Sequence, residues 1–172
     1  MKLIHVTDTH LVAAGEKLHG LDPFERLRLC FEDIATHHGD ADLCVLTGDL
    51  SDAGQTDVYV LLKELLAGLP MRTSLLLGNH DHRQRFCDVF SNRPRDPNGF
   101  VQWSEPTSEG VLLFLDTNAP NTDEGVYCQQ RHQWLREQLA QHHDCPVYLF
   151  MHHPPFDIGI PDMDALRLRN CD

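Results

Sequence analysis

The sequence has no apolar run approaching the ~20 residues that cross a bilayer as a helix, and an integral helical membrane protein is not expected. Basic residues are scarce: 14 Lys and Arg against 26 Asp and Glu leave a formal net charge of −12. So acidic a chain repels phosphate backbones, which argues against a nucleic acid duplex as partner. Also missing is the basic stripe interleaved with aromatics that single-strand binders use, since aromatics make up only 8%. Among the six cysteines (30, 44, 87, 128, 145 and 171) there is no CxxC pair. Cys44 reads as a small buried hydrophobe, and reduced thiols fit a cytoplasmic protein. The N-terminal Leu3-Ile4-His5-Val6 is far shorter than a signal-peptide core. No internal repeat, low-complexity tract or linker divides the chain, so residues 1–172 read as one domain.

What is present is periodicity. Lys2 to Thr7, Leu43 to Leu46 and Thr73 to Leu77 are short apolar runs that read as buried strands. Between the first two lies a helix pattern: Asp22 as N-cap, Pro23 at the first helical position, and Phe24, Leu27, Phe31 and Ile34 at helical spacing as far as Gly39. Val58, Leu61, Leu62 and Leu65 give a second amphipathic helix that Gly68 stops. This β-α-β-α-β order predicts a largely parallel sheet with helices on both sides. Further on, Asn92 to Asn98 forms a loop, Phe100 to Trp103 and Val111 to Leu115 read as strands of antiparallel sense, Gln129 to His143 as a helix, and Pro146 to Met151 as a strand.

Metal-competent residues follow the strands repeatedly, as Asp8-Thr9-His10, Gly48-Asp49, Gly78-Asn79-His80-Asp81 and His152-His153-Pro154. In an open α/β sheet the ligand site lies beyond the carboxyl ends of the strands, so clusters far apart in sequence can converge there. Carboxylate, carboxamide and imidazole donors without thiolate suit Mn²⁺, Fe²⁺, Co²⁺ or Zn²⁺. Two such ions need a bridging carboxylate, and Asp49, alone at its strand end, is the natural bridge.

The ordered blocks D-x-H at 8–10, GD at 48–49, GNHD at 78–81 and the His152 before Pro154-Pro155 resemble the calcineurin-like metallophosphoesterases. GEKLHG at 15–20, MHHPP at 151–155 and Met163-Asp164 look like the class III cyclic nucleotide phosphodiesterases and the bacterial glycerophosphodiesterase branch. The resemblance implies a layered α/β sandwich with mixed, largely parallel central sheets. It implies that Asp8 and His10 bind one divalent ion, that Asn79 and His152 bind a second, and that Asp49 bridges both. His80 would then orient the scissile phosphate or protonate the leaving alkoxide, with Asp81 holding its imidazole. The family pattern ends in a G-H-x-H block that does not occur before Asp172. The expectation is therefore a C-terminally incomplete domain, either a fragment or a natural variant with a degraded site. The cap that usually follows in this branch is expected to be missing too, and a homo-oligomer is expected only if a full-length chain carries it.

The reaction so implied is in-line hydrolysis of a small phosphodiester, a glycerophosphodiester or a 3′,5′-cyclic nucleotide, by water acidified between two metals. A phosphomonoesterase and a non-catalytic binding module are the alternatives. Taken singly, several residues have plainer roles: Gly-Asp and Gly-Asn are ordinary turn signals, and His153 reads as packing beside a ligand. His19 and His82 either touch substrate or lie in solvated loops, and Arg83 and Arg85 either meet a phosphate or sit on an exposed helix face. The pairs His37-His38 and His142-His143 fall at helix ends, where imidazole favours the negative end of the dipole.

Overall fold

The alternating side chains of β2 (Leu43–Leu46) decide the layering, because both of its faces are buried. In this computed structural model, which describes residues 1–169, β2 lies between the parallel strands β1 (Leu3–Val6) and β3 (Arg72–Leu75), with Val6, Leu46 and Leu75 in register. Cys171 lies outside the described residues. Cys44 and Leu46 point to one face and pack with Leu27, Phe31 and Ile34 of α1 (Pro23–His37) and with Tyr59 and Leu62 of α2 (Thr56–Leu66). The expected cap holds α1, since the Asp22 side chain accepts from the Glu25 N–H at 3.1 Å. Leu43 and Val45 point to the opposite face, where they meet not a helix but Leu112 and Phe114. The expectation of helices on both sides is thus corrected: that face of the sheet is covered by a second sheet.

The second sheet has the order β4 (Trp103–Thr107), β5 (Gly110–Phe114), β7 (Val147–Phe150), with β4 antiparallel and β7 parallel to β5. Its far face carries Val111, Leu113 and Leu115 against Trp134 and Leu135 of α4 (Gln129–Gln141). The result is four layers, helix, sheet, sheet and helix, with mixed and largely parallel pairing. β6 (Gly125–Val126) pairs in parallel with β8 (Leu168–Arg169), and α3 (Arg83–Val89) and α5 (Pro161–Asp164) are short. These small elements carry too few residues for a period to be visible in the sequence. The strand expected at Phe100 to Trp103 begins instead at Trp103, because the preceding loop wraps the Asp96 carboxylate. That carboxylate accepts from the backbone of Asn98 and Phe100 and from the Gln102 side chain. Among the described residues no helix is long and apolar enough to cross a membrane.

Trp103, Phe114 and Phe150, in register across the second sheet, stack with centroids 4.3 and 5.2 Å apart. The stack lies at the ends of β5 and β7, just before Asp116 and His152, and so floors the region where the polar clusters gather. Beyond it β7 is bare on both sides: Tyr148 and Leu149, which face opposite ways, are 44% and 46% exposed. Replacing the fully buried Phe114 with Ala removes the middle of the stack and leaves a cavity. A loss of about 3–5 kcal/mol is expected, read as a lower urea midpoint at unchanged slope.

Candidate metal centre

The ends of β1 and β2 zip together beyond the strands themselves. Asp8 N–H donates to Gly48 O, His10 N–H to Asp49 O and Leu11 N–H to Leu50 O, at 3.1, 2.9 and 3.1 Å. This zipper holds Asp8, His10 and Asp49 in the left-handed region, with φ of 55°, 40° and 47°. Side chains seldom adopt that conformation, and it persists only where the surroundings over-determine it. Here the determinant is close backbone approach. A Cβ on Gly48 would lie 2.6 Å from Gly78 N, and one on Gly78 would fall on the Asp49 carboxylate.

Asp49 is 3% exposed, and its two oxygens have different surroundings. Oδ1 accepts the His80 backbone N–H at 2.9 Å. Oδ2 stands 3.4 Å from His10 Nε2 and 3.6 Å from His152 Nε2. His152 Nδ1 lies 3.0 Å from Thr47 O, which can only accept, so this nitrogen carries a proton and the ring, in its neutral form, turns a lone pair at Nε2 toward the site. Asn79 Oδ1 is 3.2 Å from that Nε2. Lone pairs of His152, Asn79 and Asp49 therefore converge without a donor among them, an arrangement that a cation satisfies. On the other side, His10 Nδ1 is 3.1 Å from Asp52 Oδ1, which leaves Nε2 facing Asp49 and, at 3.8 Å, Asp8. The facing Asp8 carboxylate, with Asp49 and Asp52, holds the His10 pKa up at about 9. Asp8 in turn is held down at about 2 by His10.

The carboxylate and imidazole donors fall into two groups that share Asp49: His10, Asp49 and His80, and Asp8, Asp49 and His152. All five expected ligands are brought together, but His80 joins the side of His10, and Asp8 lies within reach of both His10 and His152. His80 is 39% exposed at its side chain, and its Nδ1 lies 2.7 Å from Asp52 O. The expectation that Asp81 holds this imidazole is corrected. The buried Asp81 carboxylate is committed to the N–H groups of Leu50, Ser51 and Gly78 and to the Tyr59 hydroxyl. Burial nevertheless pushes its pKa up to about 6. Asp52 meets both rings, His10 through its carboxylate and His80 through its backbone carbonyl, and only the first of these has a signal in the sequence, a second carboxylate three positions after Asp49.

The neighbouring residues sort as follows. Arg83 is paired with Asp116 through Nε and Nη2, at 2.7 and 3.0 Å, and is not free for a phosphate. Arg85 donates to Gly54 O, and the His82 Nδ1 caps α3 by accepting from the Arg85 N–H. His153 packs beside the ligand as expected, bonded to Thr117 Oγ1 and Asp123 O. His37 closes α1 and His142 caps α4. Two cavities flank the centre. One of about 740 Å³ is largely apolar, between Asp8, His10, His19 and the Leu21–Leu27 face, and the other, about 670 Å³, holds Asn79, His80, His82, Arg95 and Asn118.

The calcineurin-like phosphoesterase family model matches residues 1–171. The chain is 43% identical over its whole length to a probable cyclic nucleotide phosphodiesterase of Rhodopseudomonas palustris, covering 64% of that protein. It is 29% identical over 98% of its length to a probable glycerophosphodiester phosphodiesterase of Arcobacter nitrofigilis, covering 63% of it. The chain thus spans just under two thirds of these curated relatives. A purple acid phosphatase from yellow lupin shares the fold, with a TM-score of 0.55 at 13% identity over 89% of this chain and 30% of that one. The chain belongs to the calcineurin-like phosphoesterase family.

Burial, first of all, lowers the His153 pKa from its ordinary 6.5 to about 4. Between those values the unfolded chain takes up a proton that the folded chain refuses, so stability falls as pH drops through that window. The stability advantage of the wild type over His153→Gln should shrink by about 1–2 kcal/mol between pH 7 and pH 5, as measured by urea unfolding.

Proposed function

We propose that this chain carries the centre of a phosphodiesterase that uses two divalent ions, Mn, Fe, Co or Zn, and hydrolyses small diesters such as glycerophosphodiesters or 3′,5′-cyclic nucleotides in the cytoplasm. The observation that carries the reading is the single oxygen Asp49 Oδ2, within 3.4 and 3.6 Å of two imidazole nitrogens from opposite sides. The names of the relatives, a cyclic nucleotide phosphodiesterase and a glycerophosphodiester phosphodiesterase, support the substrate class.

Asp49 would be the shared ligand, with Asp8 and His10 holding one ion and Asn79 and His152 the other. Bound there, divalent ions supply Lewis acidity, which acidifies water and neutralises charge growing on phosphoryl oxygens. The chain's own groups do the rest. His152 Nδ1–H donates to Thr47 O and His10 Nδ1–H to the Asp52 carboxylate, and this turns the Nε2 of both imidazoles toward Asp49 before anything binds. His80 directs its Nδ1–H to Asp52 O, which leaves Nε2 facing the scissile phosphate, where the ring orients it or, when Nε2 also carries a proton, passes that proton to the leaving alkoxide and is left neutral. Asp81 acts through the backbone it grips and touches no substrate.

The test is the initial rate on bis(p-nitrophenyl) phosphate after metal stripping and again with Mn²⁺ restored. Metal-dependent turnover is expected, and Asp49→Ala should fall to the metal-free rate with loss of bound metal. An undiminished rate in that variant would overturn the assignment. Faster hydrolysis of p-nitrophenyl phosphate would favour a monoesterase, and a folded, metal-loaded chain without turnover a binding module.

A further inference from the structure

Asn79 and His80 are the two central residues of a tight turn, since the Asp81 N–H returns to Gly78 O at 3.3 Å. One side of this turn is tied to the first sheet through the Asp81 carboxylate, which accepts from Leu50, Ser51 and Gly78. The other side is held by one residue of the second sheet's end. Asn118 Nδ2 donates to Gly78 O at 2.6 Å and to Asp81 O at 3.0 Å, so a single carboxamide spans the two ends of the turn. Both partners are carbonyls that can only accept, which fixes the orientation of the amide.

Asn118 is itself immobilised. It is 4% exposed, its N–H donates to Asp116 Oδ1 at 3.1 Å, and its carbonyl accepts from Arg83 at 2.6 Å and Arg131 at 3.0 Å. Asp116, fully buried after β5, also binds Arg83 through both carboxylate oxygens. The network therefore runs from α4, through the end of the second sheet, to the turn on the first sheet that carries two site residues. Neither sheet positions this turn alone.

We infer that Asn118 is a positioning residue for Asn79 and His80, setting the height of their turn over Asp49 through the paired bonds to Gly78 O and Asp81 O. The inference rests on the metal reading above for its consequence in binding, but the clamp itself is a property of the metal-free chain. Without Nδ2 the turn keeps its ties to the first sheet, the Asp81 carboxylate and the His80 N–H on Asp49 Oδ1, and loses its anchor to the second, so Asn79 is freer to leave His152.

Three chains decide it: wild type, Asn118→Ala, and Leu62→Ala as a control destabilised in the helix-facing core. Amide hydrogen exchange of the metal-free proteins reads the turn, and calorimetric titration with Mn²⁺ reads the ligands. In Asn118→Ala, exchange at Asp81 should quicken at least tenfold. One equivalent of Mn²⁺ should bind about 10–100-fold more weakly, and the other should be unchanged. Leu62→Ala should lower the melting temperature and leave both Mn²⁺ affinities as in the wild type. Asn118→Ser, which keeps one donor, should fall between, and it carries the test if the Ala variant does not fold. Wild-type exchange at Asp81 in Asn118→Ala, or equal weakening of Mn²⁺ in the Leu62 control, overturns the inference. Quickened exchange in a chain whose wild type binds no Mn²⁺ would keep the clamp and overturn the metal reading instead.

Discussion

The whole site hangs on a buried carboxylate. The Asp49 side chain sits in a place with almost no access to water, and a polar or charged group there is costly unless hydrogen-bonded or paired. The chain meets this cost asymmetrically. One oxygen is satisfied by the backbone of the turn carrying His80, and the other is left to two imidazoles and whatever cation joins them. His10, held protonated first by Asp8 and then by Asp49 and Asp52, offsets part of the charge. Ordering the carboxylate therefore orders the two loops around it.

Layering explains how residues a hundred positions apart reach that oxygen. The two sheets share a core of Leu43, Val45, Leu76, Leu112 and Phe114, and this contact fixes the end of β7 beside the end of β2. His152 then leans across to Thr47 O, a bond that no single sheet provides. The aromatic stack beneath it supplies stiffness of the kind close-packed interiors transmit well.

How much of this was legible beforehand depends on the kind of interaction. The strands around Leu43 to Leu46 and the helix from Pro23 follow from local pattern and a local cap, and both stand where the sequence places them. The five residues proposed as ligands stood out because metal-binding residue types at strand ends are unusual, and the structure brings them together. The partner of His80 did not stand out, because Asp81 sits next to it in sequence while Asp52 sits next to it in space. Adjacency misled here. In a tight turn, successive side chains diverge, and Asp81 turns inward to the backbone of Leu50 and Ser51. The second sheet over Leu43 and Val45 was equally hidden, since an apolar face does not declare whether a helix or a sheet will cover it. Asn118 gave no signal at all, as its role lies wholly in carbonyls forty residues away in the chain.

The contact of Gly48 with Gly78 bears on how this chain tolerates inherited change. A ligand can be exchanged for another oxygen or nitrogen donor while the backbone stays where it is. The two glycines have no such substitutes, because even a methyl group on either one collides with backbone or with the Asp49 carboxylate itself. The smallest possible missense step at these positions is therefore as severe as removing a ligand. In a catalogue of variants, two residues that bind nothing would thus rank beside those that do.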